Sequence, residues 1–320
     1  MHRLVLLVIV WLAVVGLARA AAPPIESVQG IYEGIAKAAG GEHNVEARVV
    51  AWGHGTYKVY VRQSLGEGKV AKVELDGKLA GDTLRFSGKA QGAEWAALYA
   101  NGAIQGTIGK DGKLELKRVL RQSPTLGAKP PAGAIVLLDG KTFDEVIKRG
   151  QQEWKLVEGG GIQVPKGGMN SKRQFSGNIK LHVEFNLPLM PEARDQGRSN
   201  SGVYLPNGDE VQVLDSFGSP SYKGGGCGGL YAYKDPDAFD EFSLASLPPL
   251  QWQTYDIEYR VQKKDGKPTG KPRVTVLHNG VKIHDNAEMR NDARVGGLHF
   301  QDHGNPVQFR NIWVVPLADE

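Results

Sequence analysis

The side chains able to do chemistry crowd most closely in Gly296–Pro316, GGLHFQDHGNPVQFRNIWVVP, which holds two histidines, an aspartate, an arginine and several amides. His299, Gln301 and His303 are spaced i, i+2, i+4, so a strand running through them puts all three on one face and turns Leu298 and Phe300 into a core. Gly304-Asn305-Pro306 signals a turn, and a further strand then carries Arg310 and Trp313. An imidazole titrates near neutral pH, so a histidine beside a cation and amides suits proton transfer at a polar ligand. A solvated sheet face is the plainer reading, and on spacing alone the two weigh equally. Asp302 fits a turn that bonds its own backbone as well as it fits chemistry.

A second polar strand comes earlier. In Glu210-Val211-Gln212-Val213-Leu214 the alternation sets Glu210 and Gln212 on one face, with Asp215 on the other unless the strand bulges. Gly202–Leu205 precedes it, joined through the hairpin signal Pro206-Asn207-Gly208-Asp209. Both strands are short and alternating, as is most of the chain, and its 42 glycines fall largely between such segments.

These strands need a scaffold, and the pattern gives all-β units. Residues 1–20 read as a cleaved secretory signal: Arg3, an apolar run from Leu4 to Val15 too short to span a bilayer comfortably, then Ala18-Arg19-Ala20. Export to a periplasm or the exterior follows, with cleavage near Ala20 and no transmembrane segment in the mature chain. Cys227 is the single cysteine, so no internal disulfide forms and ordinary cores must supply stability. Residues 25–121 read as an antiparallel β domain, a small barrel or curled sheet, entered through a short helix over Ile31–Ala39. The Pro/Gly/Ala stretch 122–132 reads as a linker. Residues 133–318 carry further alternating strands and almost no helical pattern, which argues for a two-sheet sandwich. The formal charge of +4 falls by two when Arg3 and Arg19 leave with the leader, and no basic stripe is present, which excludes a nucleic-acid partner. The glycine-rich Ser219–Gly229 has no following helix and does not match a phosphate loop.

The motifs Asn200-Ser201-Gly202-Val203-Tyr204-Leu205, Glu210 to Asp215, Trp252-Gln253-Thr254-Tyr255-Asp256 and Leu298 to Trp313 resemble the 3-keto-disaccharide hydrolase family. One departure is Phe143-Asp144-Glu145, where the family usually has Gly-Trp. The resemblance implies a concanavalin-like jelly roll whose concave face holds sugar, and exported processing of glycosides oxidised at C3. It also implies a carbohydrate substrate; a protein partner is not indicated.

A 3-keto group acidifies the hydrogen at C2, so a base can remove that proton and the enediolate can expel the C1 substituent, with water added afterwards. Such a site needs a base, a partner for the enolate oxygen and a proton donor for the leaving group. The candidates are His303 or Glu210 as base or acid and Arg310 as the enolate-stabilising cation. Asn200, Gln212, Gln301, His299 and Asp215 are candidates for substrate binding. On this expectation His303→Ala cuts turnover by about a hundredfold or more. Arg310 could instead pair with Glu210 or Glu184. A divalent cation would serve the enolate, and His299, His303, Asp302 and Glu210 could converge on one. The rivals are a carbohydrate-binding module without catalysis and an ordinary glucan hydrolase, which would need two carboxyls flanking the scissile bond.

Overall fold

The computed structural model describes residues 22–38, 40–151, 153–219, 221–237 and 245–318. The leader expected over 1–20 lies outside them. Among the described residues no helix is long and apolar enough to cross a membrane.

Eight strands form a closed antiparallel barrel: β1 (Gly30–Ala38), β2 (Gly41–Gly53), β3 (Thr56–Ser64), β4 (Val70–Ala80), β5 (Thr83–Ala90), β6 (Ala93–Ala100), β7 (Ala103–Ile108) and β8 (Gly112–Val119). The inward set of each alternation, including Val59, Val61, Val73, Leu75, Phe86 and Leu116, fills the interior. Closure overturns the helix expected over Ile31–Ala39. Ile31–Ala38 pairs with β2 and Ile31–Lys37 with β8, so these ladder bonds outweigh the helical spacing of Ile31, Ile35 and Ala38, while Ala39 lies outside the described residues. Among the described residues of this unit the only helix is Ile25–Val28. Gly34 shows how tightly the seam closes, since a Cβ on it would lie 2.0 Å from the Glu115 carbonyl oxygen.

The second unit holds β9 (Ile135–Leu138), β10 (Val146–Lys148), β11 (Lys155–Val157), β12 (Gly161–Gln163), β13 (Met169–Ser171), β14 (Ile179–Asn186), β15 (Ser201–Tyr204), β16 (Glu210–Val213), β17 (Trp252–Lys264), β18 (Lys267–His278), β19 (Val281–Glu288), β20 (His299–Phe300) and β21 (Gln308–Pro316). They make two sheets. One has five strands in the order β10-β13-β20-β15-β16, and the other runs β11-β12-β21-β14-β17-β18-β19 with β9 added against β21. A single apolar cluster draws on both, with Met169, Val203, Val211 and Phe300 from the smaller sheet meeting Val183, Phe185, Ile257 and Phe309 from the larger. Phe300 and Phe309 meet edge to face with centroids 5.5 Å apart. The fold is therefore all-β, with the polar row of the smaller sheet standing on the back of this shared core.

The stretch 122–132 is docked rather than loose. Ser123 and Thr125 bond the Thr254 hydroxyl, Thr125 donates to Asp256 Oδ2 at 2.6 Å, and the Gly127 N–H donates to Glu184 Oε1 at 2.5 Å. The barrel and the second unit also share a small core of Ile31, Val50, Phe217 and Leu247, over which the buried Arg48 lays its guanidinium 5.1 Å from the Phe217 ring centroid. Burying one such phenyl ring contributes about 1.5–3 kcal/mol to the contact.

Candidate active site

Strand register gathers the site. Asn170 on β13 pairs with His299 on β20, His299 with Tyr204 on β15, and Tyr204 with Glu210 on β16. The alternate residues Met169, Phe300, Val203 and Val211 are fully buried in the core, so this row stands on the opposite face. Four strands at roughly 4.8 Å spacing carry it about 14 Å across the sheet.

Glu210 is 6% exposed and its carboxyl stands where a side chain on Gly202 would be, since a Cβ there would lie 1.9 Å from Oε1. Burial pushes its pKa up to about 7, against a hydrogen bond donated by Tyr204 that lowers it. The Tyr204 hydroxyl in turn accepts from Gln301 Nε2 at 3.1 Å. A phenol has one proton, so the chain Gln301 to Tyr204 to Glu210 has a defined direction. The result is a carboxyl that exchanges its proton near neutrality.

His299 stands two strands away. Its Nδ1 lies 2.7 Å from Asn170 Oδ1 and 3.1 Å from the Met169 carbonyl oxygen. A carbonyl only accepts, so Nδ1 carries the hydrogen and Nε2 keeps its lone pair. Burial lowers the His299 pKa, the charge of Arg149 lowers it further, and the Met169 carbonyl offsets part of this. At neutral pH the ring is uncharged, a base beside a buried acid.

A cleft of about 780 Å³ opens over His299, Tyr204 and Gln301, with Asn170, Arg149 and Arg294 also on its wall. That is the size range of small-ligand sites. One step along the sheet, Gln212 opposes Gly202, and its Nε2 donates to Gln196 Oε1 at 2.9 Å. Asn200 Nδ2 donates to the same oxygen at 3.0 Å, and Gln196 is itself held by bonds to Ser221 and the Gly225 carbonyl. Gln301 Oε1 and Asn200 Oδ1 are buried acceptors with no hydrogen-bond partner among the described residues.

The structure separates several residues that the sequence placed together. The strand ends at Phe300, so His303 does not share the face of His299 and Gln301 but sits exposed on a loop. Asp302 makes that turn, accepting from the N–H groups of Gly304 and Gly167 at 2.9 Å each. Arg310 belongs to the other sheet. It donates to Glu184 Oε2 at 2.7 Å and stacks 4.1 Å over Trp252, as its structural alternative anticipated. Asp215 is 1% exposed, accepts from Arg198 Nε at 2.7 Å and caps Phe217, so it braces the loop and does not face ligand. The convergence of His299, His303, Asp302 and Glu210 on a metal does not form: among the described residues no three His, Cys, Asp or Glu groups are placed to hold one.

Four participants escaped the sequence reading. Tyr204 had a signal, because the hairpin at Pro206–Asp209 sets it opposite Glu210. Asn170 and Arg149 had none, since the residues they meet at the site are far away in the chain, and Gln196 had none because an irregular loop, not a strand period, turns it toward Asn200 and Gln212.

Residues 133–315 match the family described as the 3-keto-alpha-glucoside-1,2-lyase-like domain. A solved structure from Parabacteroides distasonis, described as a candidate glycosyl hydrolase, is similar at 33% sequence identity with a TM-score of 0.50, over 58% of this chain and 85% of that one. No curated protein matches the chain. Family and neighbour together support a glycoside-acting enzyme, and the match spans more than half of the sequence. With its motifs, its all-β sheets and its polar row in agreement, the chain belongs to the 3-keto-disaccharide hydrolase family.

Proposed function

We propose that this is an exported enzyme that cleaves 3-keto-glycosides by elimination across C1–C2 followed by hydration, on a concanavalin-like jelly roll formed by its two sheets. The observation that carries the reading is the pairing of unlike groups in one row: neutral His299 with a free lone pair, and Glu210 with a pKa near 7. Export rests on the leader pattern of residues 1–20.

His299 Nε2 takes the proton from C2, and the electron pair left behind is drawn into the C3 carbonyl. Arg149, on the cleft wall beside His299, faces the oxygen that becomes negative. This gives Arg149 the role first sought for Arg310. The enolate then re-forms the carbonyl and expels the C1 substituent, which takes the proton of Glu210. Water adds across the new C1=C2 bond with the roles reversed. The Glu210 carboxylate takes its proton as oxygen bonds C1, and the His299 imidazolium returns a proton to C2. The sum is hydrolysis with both groups restored.

Among the described residues, the other two carboxylates considered for the site are engaged elsewhere, which favours elimination over a two-carboxylate mechanism. Asp302 spends both oxygens on backbone N–H groups and Asp215 is ion-paired in the interior. The test is incubation with a 3-keto-glucoside and with the unoxidised glucoside. Release from the keto sugar alone supports the reading, cleavage of both points to a conventional glycosidase, and cleavage of neither points to a carbohydrate-binding module.

A further inference from the structure

The row continues beyond Glu210. Leu230 bridges Val211 in the antiparallel sense, and the Tyr231 N–H donates to the Glu210 carbonyl at 3.0 Å. Leu230 and Val211 both belong to the core, so the adjoining pair, Glu210 and Tyr231, stands on the same sheet face as Tyr204 and His299. From Tyr231 the hydroxyl reaches that of Tyr222 at 2.5 Å, and the two rings meet at 68° with centroids 6.2 Å apart. Tyr222 lies close over Gly225, where a Cβ would come within 2.8 Å of its ring, yet the residue is 44% exposed. It is thus a large aromatic held in place from behind with much of its surface open to solvent. Its hydroxyl bond to Tyr231 is part of what holds it there.

We propose that Tyr231 and Tyr222 form the leaving-group subsite and hold a second pyranose ring, the C–H face of the sugar lying against Tyr222. The inference rests on the reading of Glu210 as the acid that protonates the glycosidic oxygen. That oxygen must lie at Glu210, with the oxidised ring toward His299 and the departing group on the far side, where the tyrosines stand. An aromatic face meets the apolar C–H bonds of a pyranose, while the phenolic oxygens remain available to its hydroxyls. A methyl group would leave the corner unfilled. The subsite therefore makes the enzyme prefer disaccharides to simple glycosides.

The experiment compares kcat/KM for a 3-keto-disaccharide with that for a methyl 3-keto-glucoside in the wild type, Tyr222→Ala and Tyr222→Phe. The wild type is expected to favour the disaccharide. Tyr222→Ala should lower that preference by about fivefold to tenfold, mostly through KM, as expected for one lost ring contact. Tyr222→Phe, which keeps the ring and loses the hydroxyl bond, should lower it less. An unchanged ratio in Tyr222→Ala, or a wild type indifferent to the leaving group, overturns the subsite and leaves the elimination mechanism standing. Failure of the wild type to cleave either keto sugar overturns both.

Discussion

His299 and Glu210 project from the same face of one sheet, separated by the single strand that carries Tyr204. The tyrosine donates to the acid and accepts from Gln301, so the two titrating groups are held apart at a fixed spacing. Removing the exchangeable proton while keeping the shape is therefore a clean probe. Glu210→Gln should cut turnover of a 3-keto-glucoside by about a hundredfold or more, with substrate binding retained. In the wild type, kcat/KM should fall as pH rises through about 7 and Glu210 loses its proton. That limb should vanish in the variant's pH profile.

The same substitution should stabilise the protein. The folded state holds the Glu210 proton up to about pH 7, against an ordinary value of 4.5, so the folded form binds more protons across that interval. Stability contributed by this group is full below the ordinary value and is lost as pH rises toward 7. Glu210→Gln should thus melt higher than the wild type at pH 8, by up to about 3 kcal/mol, and the difference should close near pH 4. Thermal denaturation at the two pH values checks it.

The two histidines of the closing motif should behave differently. His299→Ala removes the lone pair at Nε2 and should abolish turnover to the level of about a hundredfold loss. His303→Ala, on an exposed loop off the sheet, should stay within about twofold, because surface changes away from the site seldom matter. Steady-state kinetics of the pair decides between the site built on the sheet and one built on the loop.

On the outer side, Glu184 anchors the docked linker. Burial alone would raise its pKa, but bonds from His182, Asn311, Arg310 and the Gly127 N–H hold it down at about 2. The stabilisation is present above the ordinary carboxylate range and is lost as pH falls through about 2. Glu184→Ala leaves Arg310 without its partner and should cost about 3–5 kcal/mol in denaturant titrations. Residues 122–132 should then become cleavable by protease.

The barrel should matter to the cleft although it carries none of the row. Arg194 lays its guanidinium 4.0 Å over the Trp52 ring and donates to the Trp52 carbonyl at 2.5 Å, while Glu192 accepts from the His54 N–H at 3.0 Å. These contacts hold the loop whose Gln196 orients Gln212 and Asn200. Trp52→Ala is expected to raise KM by several-fold with kcat little changed, the pattern of a lost positioning contact. An unchanged KM would detach the barrel from the site.

Much of the site was legible locally because a strand has a period of two. Glu210 and Gln212 share a face for that reason alone, and Gly202, opposite Gln212, leaves the space that the Glu210 carboxyl occupies. The motif at the end of the chain was legible in content but not in division. His299 and His303 are four positions apart, yet the Asp302 turn ends the strand between them. Arg310 lies seven positions beyond His303, and it reaches the opposite sheet because the chain crosses the core in that interval.

What the sequence determined by itself was local in origin: the alternation that makes nearly every element a strand, the hairpin that sets Tyr204 against Glu210, and the family motifs. Tertiary structure alone decided which polar groups meet. Asn170 fixes the His299 tautomer from 129 positions away, and Gln196 reaches Gln212 by way of a loop that the barrel braces. The elevated pKa of Glu210 belongs to the same class. Burial sets it, and burial is a property of the packed sheets that no spacing along the chain records.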